Sequence, residues 1–177
     1  MFDDVRGGKV AVVSHCILNQ NSRVSGLSER SSMIEEVVDL LREHDIGILQ
    51  MPCPELKYAG ILRERKDKGQ YDTEEYRECC RSIAGDVVDQ ILEYMRGGID
   101  TELILGINVS PSCGVSEDLG KRGYSEEVEE LNMEDSGVLM EELYSALRDE
   151  NLKIPFYGIR YKKLKEELDN IKCLIED

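Results

Sequence analysis

Leu103-Ile104-Leu105-Gly106-Ile107-Asn108-Val109-Ser110-Pro111-Ser112-Cys113-Gly114 is the stretch that decides how this chain folds. Its first half is apolar without alternation, the pattern of a strand covered on both faces, as in a parallel sheet. It predicts a strand over residues 102–109. The second half is a hydroxyl-rich turn around a proline, which cannot donate to a ladder. A thiol, Cys113, therefore stands just beyond the strand's carboxyl end.

The same arrangement recurs on the amino-terminal side. Lys9 to Ser14 is a short β-branched run led in by Arg6-Gly7-Gly8, and Cys16 follows it. Residues 46–51 form a second run ended by Pro52-Cys53-Pro54. A fourth strand is expected at Pro155-Phe156-Tyr157-Gly158-Ile159. Helices are expected between them. Ser32 with Glu35 has the form of a capping box, and Met33, Ile34, Val37, Val38, Leu40 and Leu41 keep helical spacing to about His44. Asp72 with Glu75 opens a long helix that runs to about Arg96 and stops at Gly97-Gly98. Further helices are expected from Ser136 to near Asn151 and over 162–175. Residues 15–30 read as a polar loop. Residues 114–135 read as an acidic excursion with one helical turn at Glu126–Leu131.

Strand and helix thus alternate four times, which implies an α/β fold, a Rossmann-like sandwich on a mostly parallel sheet of four or more strands. At 177 residues the chain is expected to form a single domain over 1–177. The formal net charge of −15 argues against a nucleic-acid partner, because phosphate contacts need clustered Lys and Arg. There is no apolar run long enough for a membrane span, and Met1-Phe2-Asp3-Asp4 is acidic where a signal peptide would be basic. A cytoplasmic protein acting on a small molecule is expected, with no membrane partner. One local exception to the acidity is the stretch from Lys57 to Lys68, where five cations face Glu64 and Asp67. It can steer an anionic or carbonyl-bearing ligand, or be a solvated loop.

Ligands in such folds bind beyond the carboxyl ends of the strands, and Cys16, Cys53 and Cys113 all lie there. Six cysteines in a chain without a secretory segment point to metal ligands, redox thiols or buried apolar residues before disulfides. Three converging thiolates suit a soft metal or an iron–sulfur cluster with one position open. Cys80 belongs to the apolar face of the long helix and Cys173 to packing or surface. His15 adjoins Cys16, but neighbours in an extended segment point apart. Glu55 follows Cys53 by two and is a candidate general acid or base, or the partner of Lys57. Ser110 and Ser112 can bond cluster sulfurs or substrate, or cap a turn. Asn19, Asn21 and Arg23 are polar groups able to orient a heterocycle. The G-x-G-x-x-G fingerprint of dinucleotide binding is absent.

Three of these segments together, Ser14-His15-Cys16-Ile17-Leu18-Asn19, Cys53-Pro54-Glu55 and Ser110-Pro111-Ser112-Cys113-Gly114, resemble the signature loops of the thiouracil desulfidases. The likeness spans about residues 9–115. It implies a [4Fe-4S] cluster bound by the three cysteines Cys16, Cys53 and Cys113. It further implies a catalytic site with Glu55 and Ser110 handling water and protons, Asn19, Arg23 and Ser112 near the substrate, and non-redox replacement of a thiocarbonyl sulfur by water. The chain departs from the pattern in the first loop. Asn19 stands where the family has Gly, and Ser22-Arg23-Val24-Ser25-Gly26 keeps only Arg and Gly of a segment that in the family also carries a second cysteine, a Tyr and an acidic residue. Two other readings are a sulfide or metal carrier without catalysis, and a thiol-redox protein in which Cys16 and Cys53 form a disulfide.

Overall fold

A computed structural model describes residues 3–116 and 136–176. Its centre is a four-stranded, all-parallel sheet in the order β2-β1-β3-β4, with β1 at Lys9–Ser14, β2 at Ile46–Met51, β3 at Asp100–Ile107 and β4 at Phe156–Ile159. The expected Rossmann-like α/β architecture is thus present. β1 pairs with β2 from Lys9 opposite Ile46 to Ser14 opposite Met51, and with β3 through one irregularity between Val10 and Ala11. β3 pairs with β4 from Ile104 opposite Phe156 to Ile107 opposite Ile159.

Alternate residues of the central strands feed two cores. Val12 and Ile104 point to the face covered by α5 (Glu74–Arg96) and α6 (Val138–Asp149), where Tyr76, Cys80, Ile83, Val87, Ile91, Leu139 and Leu143 are buried. Ala11, Val13, Leu103 and Leu105 point to the other face, against α2 (Glu35–Glu43) and α7 (Leu164–Glu176). Burial from both sides is why these strands are apolar runs and not alternating ones. The connection from β1 to β2 runs one way along the sheet and that from β2 to β3 the other. The order therefore reverses between β1 and β3, the crevice in which such folds hold ligands.

Several boundaries differ from those the sequence suggests. Residues 15–30 contain one helical turn, α1 (His15–Leu18), and a 3-10 turn at Gln20–Ser22. Pro52-Cys53-Pro54 ends β2 as expected but also starts a helix, α3 (Pro54–Ala59), with Cys53 as N-cap. Pro54 occupies the first helical position, where its missing N–H costs nothing. A further turn, α4 (Lys68–Tyr71), is closed by a capping box between Asp67 and Gln70. The expected box at Ser32 and Glu35 does not form: the Ser32 carbonyl accepts from Gln20 N at 2.6 Å, and Ile34 is the N-cap of α2. For α5 the cap is Thr73, whose hydroxyl accepts from Tyr76 N, and Asp72 pairs with Arg77 instead. β3 ends at Ile107, two residues early, because Val109 turns the chain with φ 67°. The helical turn expected at Glu126–Leu131 lies outside the described residues. No described helix is long and apolar enough to cross a membrane.

Candidate functional site

The turn after β3 is fixed by its own backbone. Ile107 N donates to Cys113 O at 3.0 Å and Gly114 N to Ser110 O at 3.1 Å, while Val115 N donates to Asn108 Oδ1 at 3.0 Å. The turn is also joined to α6. The first amides of that helix, orphaned in any helix, donate to carbonyls of the turn: Val138 N to Pro111 O, and Leu139 N and Met140 N to Ser112 O. Close approach explains the glycines here. A Cβ on Gly106 would run into the Cys113 carbonyl, and one on Gly137 into the Ser112 backbone.

Cys16 lies in the single turn of α1, where Gln20 organises the loop. Gln20 Nε2 donates to Cys16 O at 2.5 Å and to Tyr161 Oη at 2.7 Å, and its Oε1 accepts from Glu29 N at 3.1 Å. Cys53 Sγ accepts from Leu56 N at 3.4 Å, as the N-cap of α3. These two loops and the β3 turn open into one cavity of about 1400 Å³, lined by Cys16, Cys53 and Cys113 together with Glu55, Ser110 and Arg23. All three strand-end thiols thus line the same cavity.

Burial pushes all three thiols up. Cys16 reaches about 12, from burial first and then from Cys53; Cys53 rises mainly from burial. Cys113 rises well above the ordinary value from burial, then from Cys16 and Cys53. The hydroxyl of Ser14, at the end of β1, is fully buried and has no hydrogen-bond partner. Neighbouring thiols add to the rise at Cys16 and Cys113, and Glu55 adds to it at Cys53; a positive centre would favour the thiolate form of all three. The donor set thus fits a soft cationic group such as an iron–sulfur cluster. Among the described residues no three His, Cys, Asp or Glu groups are spaced for a single metal ion. A cubane bonds each thiolate to a different iron, so single-ion spacing is not what it requires.

Glu55 turns away from Lys57, the partner the sequence suggested. Its Oε2 accepts from Arg63 Nε at 3.3 Å, and its Oε1 from Ser112 Oγ at 2.9 Å. Arg63 is almost wholly buried and also donates to Ser22 O at 2.8 Å and Gly60 O at 3.1 Å. Ser110 Oγ accepts from the Ser112 and Cys113 amides at 3.3 and 3.0 Å, so it caps the turn while facing the cavity.

Two residues expected near a substrate are elsewhere. Ser112 is completely buried, its hydroxyl on Glu55 and on Tyr76 Oη at 2.6 Å, and it does not line the cavity. Asn19 caps the 3-10 turn through Asn21 N at 3.1 Å and does not line the cavity either. Arg23 does line it, with its guanidinium 4.8 Å from the centre of the Tyr161 ring and Nη1 buried without a hydrogen-bond partner. His15 bonds Gln50 through Nδ1 at 2.6 Å, outside the cavity.

The sequence marks Arg63 only as one cation of the run at 57–68 and Tyr76 only as an apolar-face position of the long helix, and nothing in the spacing marks Gln20 or Tyr161. The basic run itself contributes Arg63, Arg65, Lys66 and Lys68 to the cavity wall, joined from the end of β4 by Lys162 and Lys163.

No protein-family model matches the chain. No solved structure matches it either. It is 40% identical over 172 residues to "Uncharacterized protein MJ0003" of Methanocaldococcus jannaschii, a match covering 97% of both chains. The chain belongs to the same family as that archaeal protein.

Proposed function

We propose that this chain is an iron–sulfur-dependent desulfidase that replaces the sulfur of a small thiocarbonyl compound, of the thiouracil kind, with the oxygen of water. The observation that carries the reading is the gathering of Cys16, Cys53, Cys113, Glu55 and Ser110 around one cavity at the ends of β1, β2 and β3. The thiocarbonyl and water give the carbonyl and hydrogen sulfide, with no change of oxidation state. Held by the three thiolates, a [4Fe-4S] cluster would supply an open, sulfur-seeking iron as Lewis acid.

The chain's own groups supply the proton chemistry. Glu55, held on both oxygens with lone pairs to spare, takes a proton from the water that adds to the thiocarbonyl carbon. Ser110 accepts two amides through its oxygen, so its own proton is left to donate to the departing sulfur or the incoming oxygen. Arg23 offers a buried, unpartnered N–H to a carbonyl or anionic part of the ligand. The cationic wall steers such a ligand inward past an acidic surface.

Iron and acid-labile sulfide after purification without oxygen test the reading, about four irons per chain being expected for a cubane. Cys113→Ala should abolish both the brown colour and sulfide release, and Cys173→Ala neither. A colourless protein without iron after reconstitution would overturn the proposal. A cluster that releases no sulfide from a panel of thiopyrimidines would point to the carrier reading.

A further inference from the structure

Tyr76 lies outside all three cysteine loops, in the first turn of α5, yet its hydroxyl reaches the site. The side chain is fully buried. A phenylalanine would fill the same core volume, and a buried hydroxyl is costly unless it is bonded. The Tyr76 hydroxyl bonds Ser112 Oγ at 2.6 Å, and Ser112 Oγ bonds Glu55 Oε1 at 2.9 Å.

Hydrogen counting fixes the direction of this chain. Ser112 Oγ donates to Glu55 Oε1, and a serine hydroxyl has one proton. Tyr76 therefore donates to Ser112. A hydroxyl that accepts such a bond becomes a stronger donor. On the opposite side Arg63 holds Oε2. The carboxylate is thus held between α5, through Ser112, and the loop after α3. At the far end of this hydrogen-bond chain the Tyr76 ring packs edge-on to Tyr58 with centroids 5.1 Å apart and tilted on Tyr71 at 4.6 Å.

We propose that Tyr76 is a positioning residue: acting through Ser112, it sets the orientation of the Glu55 carboxylate towards the cavity. Its kinetic consequence rests on the desulfidase reading, while its geometric consequence does not.

The test has two arms on anaerobically purified protein. In the first, the protein carries glutamate labelled with carbon-13 at the side-chain carboxylate, and the Glu55 infrared band is identified as the one lost in Glu55→Gln. Tyr76→Phe is expected to shift that band in the same direction as Ser112→Ala and by less, and to add nothing in the Ser112→Ala background. In the second arm, Tyr76→Phe lowers kcat about fivefold, the worth of one buried hydrogen bond, with KM, iron content and visible spectrum unchanged. An unmoved band overturns the proposal, as does an equal shift in the Ser112→Ala background. So does a Tyr76→Phe protein that fails to fold, since the hydroxyl then serves stability. If the wild type releases no sulfide, the desulfidase reading fails while the infrared arm still decides the role of Tyr76.

Discussion

Val109 holds a left-handed backbone at φ 67° although its side chain is β-branched, and that side chain is 98% exposed beside the cysteine turn. Such a conformation costs roughly 1–2 kcal/mol for a residue with a branched Cβ. It persists because the flanking amides are committed, Asn108 N to Ile159 O and Ser110 N to Ile107 O. Asn tolerates this region, and almost no packing is lost on replacing an exposed valine. Val109→Asn should therefore stabilise the protein by about 1 kcal/mol in urea unfolding. An unaltered midpoint would mean that the strain is not carried at this residue. Glu167 is a second residue that pattern alone misplaces. It lies fully buried on α7, accepting from Tyr157 Oη and from Arg160 Nε, and no apolar periodicity announces a carboxylate there.

At the scale of elements, β3, its turn and α6 behave as one unit, because the turn's carbonyls serve as the helix's N-terminal acceptors. The thiol of Cys113 is placed by backbone bonds at both ends. A methyl group added at Gly106 would overlap the Cys113 carbonyl and the end of Met140. Gly106→Ala should then cost about 2 kcal/mol, as overpacking does, and under the proposed function should also lower iron content by displacing Cys113. Gly85 on α5 is the matched control, since a Cβ there meets nothing within 4 Å. Gly85→Ala should stabilise by about 1 kcal/mol through helix propensity. Equal losses from the two substitutions in chemical denaturation would sink the close-approach argument. Element boundaries were partly legible. The long helix, the strands and the glycine stop at 97–98 follow from period and punctuation. α3 was not legible, because Pro-Cys-Pro reads as a stop and cysteine is an unusual N-cap. The Ser32 box failed because a tertiary bond to Gln20 took its place.

Across the whole molecule, charge is sorted: in a chain of net charge −15, the described residues that line the cavity include eight arginines and lysines against three carboxylates, Glu29, Glu55 and Asp67. Away from the cavity, the ends of α2 and α7 are tied by His44, whose Nδ1 bonds Leu40 O at 2.8 Å and whose Nε2 bonds Glu176 Oε1 at 3.2 Å. The Leu40 carbonyl, and then Glu176, raise the His44 pKa above its ordinary value. A raised folded pKa contributes stability that is fully present below the unfolded value of about 6.5 and is lost as pH climbs through the folded one. The melting temperature of the wild type should therefore exceed that of His44→Gln more at about pH 5.5 than at about pH 9. A difference that stays constant or grows with pH would exclude the charged link.

What the sequence by itself determined is local: which runs are strands, which faces of helices are apolar, and that three thiols follow three strand ends. These are properties of spacing along one segment, and period and punctuation carry them. What only the tertiary structure decided is partnership. The order β2-β1-β3-β4 brings Cys16, Cys53 and Cys113 to one cavity, Glu55 pairs with Arg63 and not with Lys57, and Ser112 faces inward to Tyr76. Tyr76 and Ser112 are 36 positions apart, and Ser112 and Glu55 are 57. Contacts over such separations depend on how α5 and the β3 turn are set against each other by the shared core, and no local pattern encodes that.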